Sequence, residues 1–317
     1  MTGPRIGLVL RQEDIEAHGR RLPELTARIA AAGIDHVTVG DHVSFAAGHG
    51  ADGLVQATAL LCSHPSLAVE TGVYLITLRH PTPVARQIAT LCSLAPGRFT
   101  FGVGIGGDDP HELEVCGVDP STRGRRGNEA IELVRMLLSG EEVSFSGRFF
   151  EVERATIRPA PDPPPAIVVG GRSDAALTRA GRHGDAWIGV WVSSRRFAVA
   201  VERFAATAAA AGRSIDSPEH VLQVWVGFGP DPDRARRSVG PVLEREYGLP
   251  AERFDRYVPC GRPDDIAAAL GPYIEAGARV INIVPEGEGL EAGIEAVGEI
   301  AEVLTNNYGG NAANVSR

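Results

Sequence analysis

The sequence predicts an α/β fold, a (β/α)8 TIM barrel, from three observations. Short β-branched runs alternate along the 317 residues with longer, Ala-rich amphipathic stretches. The alternation gives eight strand–helix units, and the strands are apolar on both faces, as parallel strands covered by helices must be. We therefore expect one barrel domain over 1–304 and a flexible C-terminal tail over 305–317, with two doubly wound domains as the alternative.

The first four units follow one another directly. Strands are predicted over 5–10, 36–40, 67–78 and 99–106, and their helices over 22–32, 54–63, 83–94 and 123–138. An insertion then precedes the fifth strand. The stretch EEVSFSGRFFEV predicts a β-hairpin around Ser146 and Gly147, and the prolines of RPAPDPPP exclude a helix or a central strand, so this segment is an extended connector.

The alternation resumes after the insertion. Strands are predicted over 166–171, 185–192, 221–229 and 279–285, and their helices over 174–182, 195–211, 233–247 and 290–304, with an additional helix over 263–276.

Composition and charge exclude several classes of protein. The net charge of −9 argues against a nucleic-acid surface, which concentrates Lys and Arg to neutralise phosphates. The sequence has no signal region and no run of about eighteen apolar residues, so we expect a cytoplasmic protein without membrane contact. The four cysteines lack CxxC spacing and stand mostly in apolar contexts, which favours buried, reduced thiols over disulfides or a metal site.

The stretch TFGVGIGGDDPHE contains a G-x-G-x-x-G pattern in Gly102, Gly104 and Gly107. A dinucleotide fingerprint needs a helix N-terminus directly after the glycines and no negative charge beside the pyrophosphate. Two aspartates and Glu112 follow instead. The glycines therefore serve a purpose other than a pyrophosphate turn.

The residues that follow each strand are the functional candidates, because chemistry in such barrels gathers at the strand ends. Polar residues follow the first three strands, and mainly glycines, with one aromatic residue, follow the next three. They are Arg11, Gln12, Glu13, Asp41, His42, Arg79, His80, Gly104, Ile105, Gly106, Gly107, Gly170, Gly171, Arg172, Ser173, Val190 and Trp191. A rim of this kind suits a flat, mostly neutral ring lying on backbone better than a metal, so no metal is expected.

Two glycines at the end of the fifth strand form the best candidate anion site. Gly170 and Gly171 precede Arg172 and a helix capped by Ser173 or Asp174, so backbone amides, a helix dipole and one cation could meet a single phosphate. An ordinary structural turn is the alternative.

Four motifs in order resemble the bacterial luciferase-like monooxygenase superfamily, and most closely its branch that uses the deazaflavin coenzyme F420. They are GIDHVTVGDHV, TGVYLITLRHPTPVARQIATLCSLAPGRFTFGVGIGG, RRGNEAIELVRMLLSGEEVSFSGRFFEV and PPPAIVVGGRSDAALTRAGRHGDAWIG. The resemblance spans about residues 5–304. It implies F420 as cofactor, with FMN as the alternative because the two cofactors share ring and phosphate.

The resemblance also implies roles for individual residues. His42 would lie beside the reactive carbon of the deazaflavin as a base or charge-stabilising group, and Asp41 would contact the cofactor. Glu13 matches a carboxylate near the same pocket, although solvent exposure accounts for it equally well. The implied cofactor site comprises a cis peptide between Gly72 and Val73, room for the ring at Gly104, Ile105 and Gly106, and the phosphate at Gly170, Gly171 and Arg172.

Three departures separate this chain from members that oxidise sugar phosphates. Gly107 replaces their glutamate, Ala46 their pocket tryptophan and Ser193 their phosphate-binding lysine. A sugar-phosphate substrate is therefore not expected. The remaining pocket predicts a small, mostly apolar organic substrate and consists of Phe45, Leu78, Val190 and Trp191.

Three functions remain open at this point. The first is an F420-dependent oxidoreductase that transfers a hydride between the deazaflavin and its substrate. The second is an FMN-dependent two-component monooxygenase served by a partner reductase, and the third a cofactor-binding protein with little turnover. We also expect a homodimer, because the segment 83–95 is apolar on more than one face.

Overall fold

The structure, a computed structural model, describes residues 3–46 and 48–309. Its strands are β1 (Arg5–Leu10), β2 (His36–Val39), β3 (Ala68–Thr71), β4 (Tyr74–Leu75), β5 (Phe99–Gly104), β6 (Val143–Ser146), β7 (Glu151–Ala155), β8 (Ile167–Gly170), β9 (Ala186–Val190), β10 (Val221–Phe228), β11 (Cys260–Gly261) and β12 (Val280–Glu286). Its α-helices are α1 (Gln12–His18), α2 (Leu22–Ala31), α3 (Gly53–Ser63), α4 (Pro81–Leu94), α5 (Pro110–Val115), α6 (Arg123–Leu137), α7 (Asp174–His183), α8 (Ser194–Ala210), α9 (Pro232–Tyr247), α10 (Pro263–Glu275) and α11 (Leu290–Tyr308).

Eight parallel strands close into a barrel in the order β1, β2, β3, β5, β8, β9, β10 and β12, and β12 pairs back with β1. The two-residue strands β4 and β11 add only short pairings with β5 and β10. Helices cover the outside, and α11 shows why: its buried residues Ile294, Val297, Ile300, Ala301 and Leu304 recur every three or four positions. The predicted (β/α)8 barrel is confirmed.

A chain of polar side chains crosses the barrel interior. The Asn282 amide in β12 donates to Glu70 in β3 at 2.9 Å, and its oxygen lies 2.7 Å from Nε2 of His36 in β2. Since β12 does not pair with β2 or β3, these contacts must pass through the interior. Burial raises the pKa of Glu70 to about 7 and lowers the pKa of His36 to about 4, so both groups favour their neutral forms.

The third predicted strand, 67–78, is wrong in its extent. Regular pairing ends at Thr71, a short piece of strand resumes at Tyr74, and residues 76–78 form a 3-10 turn. A continuous apolar run does not reveal such a break, because each piece remains buried. The sequence also left α1 and α5 unassigned, and both are short helices in the connections that follow strands.

The predicted tail begins too early. Helix α11 continues to Tyr308, whose ring packs against α10 at Gly271, where even a methyl group would overlap the phenol oxygen. Residues 310–317 lie outside the described residues. The insertion before β8 does contain the antiparallel hairpin β6–β7.

Segment 83–95, predicted to be apolar on more than one face, leaves almost no apolar surface for a partner chain. Its apolar residues are buried within the chain except Leu94, which is 58% exposed. The cysteine prediction also needs correction, because Cys62 is exposed while Cys92 is buried and the other two are intermediate. Within residues 3–46 and 48–309, no helix has the length and apolar character needed to cross a membrane.

Candidate active site

A histidine and a buried glutamate form the polar centre of the site. His42 follows β2, and its Nδ1 lies 3.2 Å from the carboxylate of Glu112 in α5. Glu112 is held in place because it accepts hydrogen bonds from the backbone N–H groups of Val43 at 2.7 Å and Ser44 at 3.2 Å. Its side chain is only 3% exposed, whereas that of His42 is 40% exposed. Buried Glu112 therefore orients a histidine that remains open to a ligand.

Phe45 completes the immediate surroundings of His42. The two rings lie 4.4 Å apart between centroids with a 34° tilt. The loop is tied down by the backbone hydrogen bonds between Phe45 and His49, and by Ala46 N–H donating to Asp109. With Nδ1 facing Glu112, the Nε2 atom of His42 has no hydrogen-bond partner among the described residues.

The Asp41 side chain is buried and fully hydrogen-bonded within the protein, which argues against the predicted contact with the cofactor. Its carboxylate accepts from the N–H groups of Gly53 and Leu75 and pairs with both guanidinium nitrogens of Arg79, at 2.7 and 2.9 Å. The side chain is fully covered. All four acceptor positions of the carboxylate are thus used to join the ends of β2 and β4 to α3.

The peptide bond between Gly72 and Val73 is cis, as the resemblance implies. The side chain of Val73 also explains why position 104, where room for the cofactor ring was expected, is a glycine. A Cβ on Gly104 would lie 2.5 Å from Cγ2 of Val73, so the absence of a side chain there admits Val73 rather than a ligand. Gly106 has φ +67, which favours glycine, and a Cβ there would only touch Leu75 and Leu113 at 3.9 Å, so the predicted role at this position stays a prediction.

The glycine pair after β8 has the geometry expected of an anion site. Gly171 adopts φ +124, which favours glycine, and its carbonyl accepts from the indole N–H of Trp187 at 2.7 Å. The Ser173 hydroxyl caps α7 by accepting from Ala176 N–H. The first N–H groups of α7 therefore begin directly beside Gly170, Gly171 and Arg172, where the helix dipole favours an anion.

Aromatic side chains form a packed cluster around Trp191, at the end of β9 and beside β10. The Trp191 ring stacks on Trp225 at 6.5 Å and tilts against Phe254 at 4.7 Å, with Tyr247 edge-on at 5.2 Å. Trp191 has a φ of +55, a backbone conformation that bulky residues adopt rarely. The surrounding aromatic rings hold it in place. Burial raises the pKa of Tyr247 and keeps its phenol neutral. Val190 precedes Trp191 and is half-buried.

Two residues that the sequence predicted for the site, Glu13 and Leu78, do not line it. Glu13, in the first turn of α1, is 68% exposed and 3.9 Å from Arg11, so the alternative of a solvent-exposed carboxylate describes it. Leu78 belongs to a buried cluster with Leu75, Leu113 and Val118, which places it in the packing below the strand ends rather than on an open wall.

Sequence reasoning missed the partners of the predicted residues. Glu112 was noted only as a negative charge that excludes a pyrophosphate, because it lies eight positions beyond the end of β5 in an unassigned helix. The sequence placed Arg79 at a strand end but did not show that it pairs with Asp41. Trp225 lies inside the β10 run, where its apolar neighbours gave no sign that it stacks on Trp191.

Comparisons with known proteins agree with this architecture. Residues 6–254 match the model of a family described as luciferase-like monooxygenase. The F420-dependent glucose-6-phosphate dehydrogenase of Beutenbergia cavernae is 31% identical over 285 residues, which cover 81% of this chain and 85% of that protein. The enzyme of the same name from Mycobacterium tuberculosis H37Rv is 28% identical over 291 residues, with coverages of 81% and 85%.

Two solved structures share the fold at lower identity. An F420-dependent secondary alcohol dehydrogenase in complex with an F420-acetone adduct has a TM-score of 0.83 at 21% identity, covering 96% of this chain and 99% of its own. The EDTA monooxygenase of Chelativorans sp. BNC1 has a TM-score of 0.81 at 17% identity, with coverages of 96% and 94%.

Proposed function

Because this chain belongs to the luciferase-like monooxygenase family and is therefore an oxidoreductase, we propose that it is an F420-dependent enzyme acting on a small, mostly apolar organic substrate. The observation that carries the proposal is His42, open at the strand ends and oriented by buried Glu112. The F420-dependent relatives support F420 over FMN.

The residues at the barrel mouth fit a flat cofactor with one phosphate. Gly170, Gly171 and Arg172 offer amides, a helix N-terminus and a cation for the phosphate. Beside Gly72, the buried oxygens of Thr38 and Gln223 have no hydrogen-bond partner among the described residues, so polar edges of a ring could pair with them. When bound, the deazaflavin supplies the carbon that gives or receives the hydride.

His42 handles the proton that accompanies hydride transfer. The Glu112 carboxylate is acceptor-only when ionised, so it selects the His42 tautomer with hydrogen on Nδ1 and leaves the Nε2 lone pair free. Nε2 then accepts the proton of a substrate hydroxyl during oxidation, or returns it during reduction. The negative charge of Glu112 stabilises the imidazolium form between these events.

The pocket walls favour an apolar substrate. The half-buried Trp191, packed against the buried rings of Trp225 and Phe254, presents an aromatic surface on one side. Phe45 presents another beside His42. Arg11 lies 5.3 Å from the Trp225 ring and pairs with Glu286, so its charge is partnered. This arrangement supports a ketone or secondary alcohol with an apolar body better than it supports a sugar phosphate.

Titration of the purified protein with F420 and with FMN, followed by fluorescence, tests the cofactor. We expect micromolar or tighter binding of F420; binding of FMN alone would contradict the proposal and favour a monooxygenase. Turnover is then measured with F420 and a panel of secondary alcohols, ketones and glucose 6-phosphate. Activity confined to glucose 6-phosphate would refute the proposed substrate class.

Once a substrate is identified, substitutions of His42 and Glu112 test the mechanism. His42→Ala should lower turnover by about 10²-fold, the contribution of one positioned acid–base group, while F420 affinity changes by only a few-fold. Glu112→Gln should lower turnover less, because the amide keeps a hydrogen-bond acceptor for His42 but no longer compensates an imidazolium charge. The control is His111→Ala on the exposed face of α5. Full turnover in His42→Ala would remove the proton-handling role.

A further inference from the structure

A cavity of about 450 Å³ lies between the N-terminal ends of α7 and α8, outside the ring of strand ends. Four arginines line it: Arg172, Arg195, Arg196 and Arg203. Arg203 pairs with Asp174 at 2.8 Å, whereas Arg172, Arg195 and Arg196 have no ion-pair partner among the described residues. The cavity is thus strongly positive in a chain whose net charge is −9.

The cavity adjoins the candidate phosphate site in two ways, one through the backbone and one through a hydrogen bond. Arg172 lines the cavity and directly follows Gly171 in the chain. Trp187 also lines the cavity, and its indole N–H holds the Gly171 carbonyl at 2.7 Å. A ligand group that extends from a phosphate at Gly170 and Gly171 along Arg172 therefore reaches this cavity.

The walls combine charge with apolar surface. Leu177 and Ala200 are buried at the base, and Val199, 56% exposed, stands at the rim. Guanidinium groups match carboxylates through paired hydrogen bonds, while apolar walls accommodate methylene groups. The chemistry recognised is a flexible chain of carboxylates separated by short aliphatic spacers.

We infer that this cavity binds the oligoglutamate chain of F420, the anionic extension that follows the cofactor phosphate. The inference rests on the proposed F420 function and adds to it a second binding site for the same molecule. It also separates the two candidate cofactors, because FMN ends at its phosphate and gains nothing from the arginines.

The test compares F420 carrying several glutamates with the form that has the phosphate and lactyl group but no glutamate, by fluorescence titration at low salt. Exposed ion pairs contribute up to about 1 kcal/mol each, or about five-fold in affinity. We expect the wild-type protein to bind the long form about ten-fold more tightly. In Arg195→Gln/Arg196→Gln this preference should disappear, with affinity for the glutamate-free form unchanged.

A double variant of equal charge change, Arg182→Gln/Arg237→Gln, is the control, since both of these arginines are exposed and lie outside the cavity lining. It should retain the preference, and salt near 0.5 M should reduce the preference in the wild type because exposed charges are screened. A preference that survives Arg195→Gln/Arg196→Gln, or a wild type that binds both forms equally, overturns the inference alone. Absence of F420 binding in the wild type overturns the proposed function with it.

Discussion

Replacing Glu70 by Gln should change how the stability of the barrel depends on pH. Glu70 lies in the interior, 2% exposed, and accepts from the Asn282 amide. Burial raises its pKa to about 7 from an ordinary value of 4.5. Gln keeps the acceptor oxygen and nearly the same volume but cannot ionise, so the substitution isolates the cost of a buried negative charge.

The free energy of unfolding depends on pH because the pKa of Glu70 differs between the folded and the unfolded state. Below pH 4.5 the carboxyl is neutral in both states, and its contribution to stability is fully present. Between pH 4.5 and 7 the unfolded state releases the proton first, so wild-type stability falls as pH rises and reaches a lower plateau above 7. The shift corresponds to up to about 3 kcal/mol at about 1.4 kcal/mol per pH unit. The variant should therefore gain up to that amount relative to wild type between pH 4.5 and 8.

Urea unfolding at intervals from pH 4.5 to 8.5, followed by tryptophan fluorescence and far-UV circular dichroism, measures this difference. Other titrating groups, including His36, whose lowered pKa destabilises the fold as pH falls from 6.5 towards 4, cancel between the two proteins. Glu142→Gln, which alters a carboxylate 56% exposed in a pair with Arg154, is the control and should show no comparable trend. A difference between Glu70→Gln and wild type that stays constant over the whole range would refute the reasoning.

Two further predictions concern the cofactor site and assembly. Gly171→Val should weaken F420 binding by at least ten-fold, because the position has φ +124 and an added Cβ would lie 2.6 Å from Ala176; unchanged affinity in a folded variant, checked by circular dichroism, would place the phosphate elsewhere. The homodimer expected from the sequence stays a prediction, for which α4 leaves only Leu94 as exposed apolar surface; sedimentation should give a species of twice 33.5 kDa, whereas only 33.5 kDa species at micromolar concentration would refute it.

The sequence predicted individual site residues better than it predicted their partners. His42, Gly171 and Trp191 lie at strand ends, as a barrel requires, and could be found by reading the residue after each apolar run. Asp41 was also found at a strand end, but its role was assigned wrongly. Only the fold shows that Arg79, Gly53 and Leu75 use all of its acceptor positions.

The sequence by itself determined the barrel, because the alternation of apolar strands and amphipathic helices is a local pattern that each segment carries independently. It also determined which residues stand at the strand ends, except for the third strand, whose predicted end lies beyond Thr71. The tertiary structure decided what those residues meet. Glu112 reaches His42 across 70 positions, and Asn282 joins Glu70 across 212, because contacts through space between distant segments leave no periodic trace in the chain.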